Sequence, residues 1–456
     1  MTAVRAHEIL SVIDAAVRSR SPIEAVLEIL DRSKHPLFDE LRARFDSIAA
    51  QALTLKILNL CLAKYHFLAR STHLLSRPFG LIADPSNGCN LACPGCVHSR
   101  YVKERGFFDW QKGMLPESLL DGLLKRYGPY AIQMTLYNYG EPLINPETPR
   151  FIRMAKRYLM QTVISTNFSI GRFDAEAYVE SGLDFIVLSI DGATQPAYER
   201  FRKNGNLELV YTNIRKLVQA KRALGKRTPV IEWQFLAFEH NAHEIPMAIE
   251  IARRLGVNQF AVRPPFDVSW DDPSIRPAEI EPVVKIFDWN SEDAMIKNWN
   301  PFPAALEAGT IEREFDARWI DLAVLLPKED RDAEFRSRPT CNWLYKNISM
   351  DAGGRIFPCC TSPGPELNLL FANFDGKAPS DPFNSGQHEL ARLFFADPKA
   401  YQLERDARGF DRDPHCVKCE WDKEHAATDR EQIRSYFEIA GPRFLNAGSL
   451  DILSAW

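Results

Sequence analysis

From residue 79 onward the apolar positions follow two alternating rhythms. Short runs rich in Val, Ile, Phe and Leu predict strands at 79–84, 131–137, 161–166, 184–190, 229–237 and 258–263. Between them, apolar residues recur every three or four positions and predict helices at 115–127, 147–159, 174–181, 207–224 and 244–255. Strands alternating with helices imply an α/β fold with a parallel sheet and right-handed crossovers. In parallel barrels the chemistry gathers at the C-terminal ends of the strands. Strand ends are therefore where functional residues are expected.

The flanks read differently. Residues 1–76 carry helical spacing in Ile9, Leu10, Val12 and Ile13, and again in Ala25, Val26, Ile29 and Leu30. A longer amphipathic stretch covers 37–68, with Ala50, Leu53, Leu55, Ile57, Leu58 and Leu62 near one side. Cys61 lies inside it and reads as a small buried hydrophobe. This segment is a cap or a docking module. Residues 266–338 form a connecting segment without the strand–helix rhythm. It is rich in Pro and acidic residues but holds Trp270, Phe287, Trp289 and Trp299, more aromatics than a disordered linker carries. It either lines the barrel mouth or is a surface insertion. Residues 339–425 form a small further domain. In it the apolar run 347–350 and the turn 351–354 predict a hairpin closing on Pro358 and Cys359. Residues 426–456 form a charged, helical tail that ends in an apolar stretch at 445–456.

Composition narrows the class of protein. The 456 residues are 45% hydrophobic and 25% charged, which suits a globular chain of two or three domains. Lys and Arg number 56 against 60 Asp and Glu, a net charge of −4, so no basic field argues for nucleic acid. No run reaches the eighteen or so apolar residues of a membrane span. The N-terminus lacks a signal-peptide pattern, so the expected location is cytoplasmic. In that setting the nine cysteines read as metal ligands rather than disulfides.

Eight of those cysteines fall in two regions of the chain, three at 89–96 and five at 341–419. Cys89, Cys93 and Cys96 form C-x3-C-x2-C directly after the first strand. Thiolates hold iron–sulfur clusters and a cubane takes four ligands. Three local cysteines leave one iron open to a small molecule. A zinc loop completed by His98 is the other assignment. Downstream, Cys341 and Cys359 precede the pair Cys416 and Cys419, a set of four that would ligate a second cubane completely or bind zinc. Cys360 is left over beside Cys359.

The C-x3-C-x2-C loop after a strand resembles the radical S-adenosylmethionine (radical SAM) superfamily. The resemblance covers about 79–265 and implies a partial (β/α)6 barrel. It implies a [4Fe–4S] cluster whose open iron binds SAM, and a 5′-deoxyadenosyl radical that abstracts hydrogen from substrate. It also implies an external one-electron reductant such as flavodoxin or ferredoxin. The string from Cys341 to Cys359 with the later Cys416-x2-Cys419 resembles the SPASM/Twitch extension, in its short form with one auxiliary [4Fe–4S] cluster.

Further contacts follow from the same resemblance. Tyr139, Gly140, Glu141 and Pro142 are similar to a Gly-Gly-Glu-Pro motif that receives the methionyl ammonium, with Tyr139 in place of the first glycine. Ser165, Thr166 and Asn167 after the third strand, and Ser189, Asp191 and Gly192 after the fourth, would meet ribose hydroxyls and the methionyl carboxylate. Asp191 has a helix cap as its other role. Arg202, or else Arg200, would pair with that carboxylate. The aromatic residue that stacks on adenine in many members is Gly95 here. Adenine is then expected on Val97 or His98 backbone groups and an apolar wall near Phe235 and Val262.

A fully ligated second cluster suits electron transfer, hence two-electron oxidation of substrate. Within the Twitch group the resemblance leans to a small or carbohydrate-like metabolite. Peptide-modifying members often carry a recognition domain of mixed strands and helices, and no strands are read in 1–76. Epimerisation or peptide maturation is the alternative, with Cys360 as a catalytic hydrogen donor. An iron–sulfur carrier is the non-enzyme alternative, but it would have no use for SAM-contact motifs.

Overall fold

The computed structural model describes residues 69–99, 113–158, 160–265, 272–281, 283–287, 341–359, 370–377, 380–409, 413–417 and 419, together with 56, 59, 62, 63, 66 and 67. Cys61, Cys360, Trp270, Trp289, Trp299, the tail at 426–456 and most of 1–76 and 266–338 lie outside the described residues.

Six strands run parallel: β1 (Gly80–Ala83), β2 (Gln133–Thr135), β3 (Gln161–Thr166), β4 (Phe185–Ser189), β5 (Val230–Leu236) and β6 (Gln259–Arg263). The connecting helices are α1 (Glu117–Tyr127), α2 (Thr148–Lys156), α3 (Ala175–Glu180), α4 (Gln195–Phe201), α5 (Leu207–Ala223) and α6 (Ile245–Leu255). Strand and helix positions follow the sequence pattern closely, and α4 is an addition to it. An antiparallel strand β7 (Val283–Ile286) then pairs with β6. It lies in the connecting segment, where no strand was expected.

Beyond it come α7 (Trp343–Lys346), β8 (Asn347–Met350), β9 (Arg355–Phe357), β10 (Ala372–Asn373), α8 (Gly386–Ala396) and α9 (Pro398–Ala407). The expected hairpin is β8–β9. It is not a detached module, because β8 pairs in parallel with β1, from Gly80 opposite Asn347 to Ala83 opposite Met350. The ten strands form one open sheet in the order β10-β9-β8-β1-β2-β3-β4-β5-β6-β7.

The register sorts the side chains onto two faces. Leu81, Met134, Ile164, Leu188, Trp233, Phe235 and Phe260 share the helix-covered face and are fully buried. The opposite, inner face carries Thr135, Ser165, Ser189, Glu232, Gln234 and Gln259. A closed eight-stranded barrel fills its interior with Val, Ile and Leu. Here the inner face carries polar residues on β2 to β6, set among apolar ones such as Val163, Val187 and Ala261.

The N-terminal segment packs on the same core where it is described. Leu62 and Ala63 are buried in it, and Lys56 Nζ donates to the carbonyls of Gly128 (2.9 Å) and Ala131. On the other side, Arg392 of α8 is wholly buried. Its guanidinium donates to the carbonyls of Leu344 (2.9 Å), Thr72 (3.1 Å) and Phe383 (2.6 Å), clamping the C-terminal helices to α7 and the N-terminal segment.

Candidate active site

The cysteine loop leaves the C-terminal end of β1 and is fixed from both sides. Asp84, the first residue after β1, is buried. Its carboxylate accepts the amides of Asn138 (2.6 Å), Tyr139 (3.2 Å) and Gly140 (3.3 Å). The Glu141 amide donates to the Gly88 carbonyl at 2.8 Å. The loop after β2 is thereby sewn to the base of the loop that bears Cys89. A Cβ on Gly140 would sit 1.5 Å from the Ser86 carbonyl oxygen, so only glycine fits there. Tyr139 is not among the positive-φ residues, so the departure from glycine at 139 costs the backbone nothing. Burial holds the Asp84 carboxyl up to about 7 despite the three amides, and Asp351 adds to the rise.

Glu141 lies inside the fold rather than at its surface. Its Oε1 accepts Thr166 Oγ1 (2.7 Å) and the Leu143 amide (3.1 Å), and its Oε2 accepts the Asn167 amide (2.9 Å). Burial raises its pKa and these donors, with Arg202, oppose the rise. The carboxylate therefore joins the loops after β2 and β3. Pro142 opens a short 3-10 turn (Pro142–Ile144) that Glu141 caps. Ser165 and Ser189 face each other on the inner face, with hydroxyls 3.3 Å apart.

Around the thiols, N–H groups point at sulfur. The Leu91 amide lies 3.4 Å from Cys89 Sγ and Asn167 Nδ2 lies 3.8 Å from it. Arg202 Nη1 is 3.9 Å from Cys93 Sγ, and its Nε donates to Asp191 Oδ2 at 2.5 Å. The other oxygen of Asp191 accepts the Leu236 amide at 2.7 Å. Asp191 is thus a salt-bridge partner, not a helix cap. Arg200 is directed elsewhere, to the Ser274 carbonyl at 3.3 Å. His98 is buried with Nε2 3.1 Å from the Tyr139 carbonyl oxygen, so that nitrogen is committed to the loop.

The apolar wall differs from expectation. Phe235 and Val262 sit on the helix-covered face, one residue out of phase with the inner face, and cannot line an adenine site there. The apolar residues packed about Cys89, Cys93 and Cys96 are Leu91, Phe201, Phe238, Ile275 and Leu236. Burial pushes the Cys89 thiol up to about 12 and the Cys93 thiol up to about 11; Arg202 pulls Cys93 the other way.

The thiols of the second set lie within reach of one another's charge. Burial raises the Cys341 thiol to about 12, with Cys359 and Cys419 adding to the rise. Cys416 is pushed well above the usual thiol range by burial and then by Cys341, Cys359 and Cys419. None of the seven described cysteines forms a disulfide. A single ion needs its ligands gathered round one centre, and among the described residues no three His, Cys, Asp or Glu groups are so arranged. A cubane spreads its thiolates over different irons and does not require that arrangement. Cys89, Cys93 and Cys96 on one loop, with N–H groups at sulfur and an apolar surround, fit a cubane.

Residues 84–231 match the Radical SAM superfamily, and the chain carries a radical SAM domain over that region. It is 24% identical over 288 residues to PqqA peptide cyclase of Gluconobacter oxydans, spanning 63% of this chain and 71% of that protein. It is 23% identical over 181 residues to a probable GTP 3′,8-cyclase of Methanococcus maripaludis, spanning 40% of this chain and 56% of that one. Among solved structures, Streptococcus suis SuiB bound to S-adenosylmethionine aligns at 14% identity with a TM-score of 0.41, covering 75% of this chain and 71% of that chain. Among the described residues no helix is long and apolar enough to cross a membrane.

The sequence reading missed Asp84 as the residue that ties the two loops together. Its only signal was an acidic residue directly after an apolar strand.

Proposed function

We propose that this chain is a radical SAM enzyme that oxidises its substrate by two electrons. Cys89, Cys93 and Cys96 would hold the SAM-side cubane. Cys341, Cys359, Cys416 and Cys419 would hold a second, fully ligated one. When bound, the first cluster and SAM supply one-electron reduction and a hydrogen-abstracting radical, and the second cluster supplies an electron acceptor. The protein's own share is to hold three thiolates on one loop, to exclude water with Leu91, Phe201 and Phe238, and to present the polar residues of the inner face, Thr135, Ser165, Ser189 and Gln234, to the substrate.

One observation carries the oxidative reading. The hairpin that leads to Cys359 is paired strand to strand with β1, the strand that delivers Cys89. Cys89 and Cys359 therefore both follow strands of one continuous sheet, a fixed placement that suits an electron path between two clusters. Gly140, Glu141, Ser165, Asn167 and Ser189 cluster at the same strand ends and are the proposed surroundings of SAM.

For the substrate, the small or carbohydrate-like metabolite expected from the sequence is the first reading. A peptide is the second, because the match to PqqA peptide cyclase runs over 288 residues and beyond the radical SAM domain. The test is anaerobic reconstitution followed by dithionite and SAM. Slow release of 5′-deoxyadenosine is expected without substrate, and about eight irons, four per cubane. Zinc in place of iron, or full iron retention after Cys89, Cys93 and Cys96 are all changed to Ala, would refute the assignment.

A further inference from the structure

Arg202 is placed by a tight local turn. Its amide donates to the Tyr198 carbonyl at 2.8 Å, at the end of α4, and its carbonyl accepts the Gly205 amide at 2.8 Å. Asn204 between them takes φ 70°, in the left-handed region. A Cβ on Gly205 would lie 2.6 Å from the Tyr198 ring, so the turn closes only with glycine there. The same turn touches the cysteine loop directly, because the Ala92 amide donates to the Lys203 carbonyl at 3.2 Å. Arg202 is therefore aimed by backbone that is bonded to the loop holding Cys93.

The side chain is locked at both ends of its fork. Nε donates to Asp191 at 2.5 Å, and Nη1 lies 3.9 Å from Cys93 Sγ, within the range of an N–H···S bond. Asp191 is wholly buried and is itself held by the Leu236 amide at 2.7 Å. The guanidinium lies near the Phe201 ring, 5.2 Å from its centroid, beside the apolar residues that surround the thiols. A charge in such a place acts at low dielectric, where its effect on a neighbouring thiolate is far larger than in water.

We propose that Arg202, set by Asp191, is a positioning residue for the SAM-side cluster that raises its reduction potential through Cys93, rather than the partner of the SAM carboxylate. The proposal rests on the reading that Cys89, Cys93 and Cys96 hold that cluster. Reduction adds negative charge to the cluster. A cation and an N–H donor at one ligating sulfur stabilise the reduced form, and hydrogen bonds to sulfur are a recognised lever on such potentials. Asp191 works in the opposite sense, as a nearby anion. The ion pair thus sets the potential by a partial cancellation, and each half can be removed separately.

The experiment is an EPR-monitored redox titration of the full-length, anaerobically reconstituted protein without SAM. The SAM-side signal is the one that changes when SAM is added. Arg202→Gln is expected to lower its midpoint potential, Asp191→Asn to raise it, and Arg202→Lys to fall nearer the parent than Arg202→Gln. Affinity for SAM should change less than about tenfold in Arg202→Gln. Opposite shifts from two partners of one ion pair are not what a loosened fold produces. Shifts of the same sign, or an unmoved potential with an intact signal, would overturn the proposal. An unmoved potential with SAM affinity reduced ten- to a hundredfold would return Arg202 to the carboxylate and overturn it as well (about 1.4–2.7 kcal/mol). If Arg202→Gln fails to fold, the rise in Asp191→Asn decides alone. Absence of any SAM-responsive signal in the parent is a separate result, which rejects the cluster assignment itself.

Discussion

The amide of Ala352 donates to Asn87 Oδ1 at 2.9 Å, joining two residues that are 265 positions apart in the chain. Asn87 lies two residues before Cys89, and Ala352 lies in the turn of the hairpin that leads to Cys359. Both are buried. This one bond, with the β1–β8 pairing, ties the C-terminal hairpin to the base of the loop that bears Cys89. Asn87→Ala leaves a buried amide without its acceptor, at a cost of about 1–3 kcal/mol. Denaturant unfolding should register that loss as a lower midpoint. An unchanged midpoint would mean that the two parts are not coupled through this contact.

The Tyr139-Gly140 pair makes opposite predictions at adjacent residues. Gly140→Ala places a methyl group against the Ser86 carbonyl, where backbone meets backbone and neither can yield cheaply. Loss of soluble protein, or of the SAM-side iron after reconstitution, is expected. Tyr139→Gly should leave iron content unchanged, because the backbone at 139 is ordinary for any residue. Iron analysis of the two variants side by side checks both statements.

The strands were legible because each has one face that must be apolar, and Leu81, Ile164, Leu188 and Trp233 mark it without ambiguity. The phase of the inner face was harder to read. In β5 the sequence Trp-Gln-Phe-Leu offers an apolar residue at three of four positions, so Phe235 was assigned to the ligand side when Gln234 and Leu236 hold it. The hairpin at 347–357 was readable from its turn, but its pairing with β1 was not, since local pattern carries no information on contacts across more than 250 residues. Among the candidate site residues, the cysteines stand out in the sequence by their spacing. The hydrogen bonds that Glu141 and Arg202 make inside the fold are not legible there, because a charged side chain aimed inward is written in the same letter as one aimed at a ligand.

Glu141→Ala tests this last point. Its carboxylate satisfies Thr166, Asn167 and Leu143, and two of these donors are backbone amides. Removing it should destabilise the protein by several kcal/mol, at about 1–3 kcal/mol for each buried group left unpaired. Glu141→Gln keeps one acceptor oxygen and should lose less. Thermal unfolding of the unreconstituted protein gives the order parent, Gln, Ala. If both variants unfold with the parent and differ only in SAM affinity, the carboxylate acts on the ligand instead.

Buried acids give the fold a pH dependence of definite sign. Asp84 is raised from 3.8 to about 7 in the folded state by burial, so the folded protein holds a proton that the unfolded chain has released. Glu141, Asp184, Asp191 and Glu232 are raised in the same direction, with burial the largest cause for each. Where the native state binds more protons, stability falls as pH rises. For Asp84 the window is about pH 4 to 7. Asp84→Asn, which does not titrate, should flatten the slope of unfolding free energy against pH there. A slope identical to the parent's would show that Asp84 is ionised in the fold throughout.

The choice between oxidation and inversion turns on where the substrate's electron goes. After hydrogen abstraction, an oxidase must remove one more electron and a proton, whereas an epimerase must return a hydrogen atom from the opposite face. Cys359 and Cys419 raise the Cys341 thiol, and Cys341, Cys359 and Cys419 raise the Cys416 thiol, so the four proposed ligands of the acceptor cluster lie near one another. Cys360 adjoins this set in sequence and is the thiol left for hydrogen donation. Cys416→Ala should still cleave SAM but make little oxidised product, and Cys360→Ala should leave product formation largely intact. In deuterated water the oxidised product should be two hydrogens lighter than substrate and carry no new deuterium at the reacting carbon. A product of unchanged formula apart from one deuterium, absent in Cys360→Ala, would establish inversion and assign the donor to Cys360.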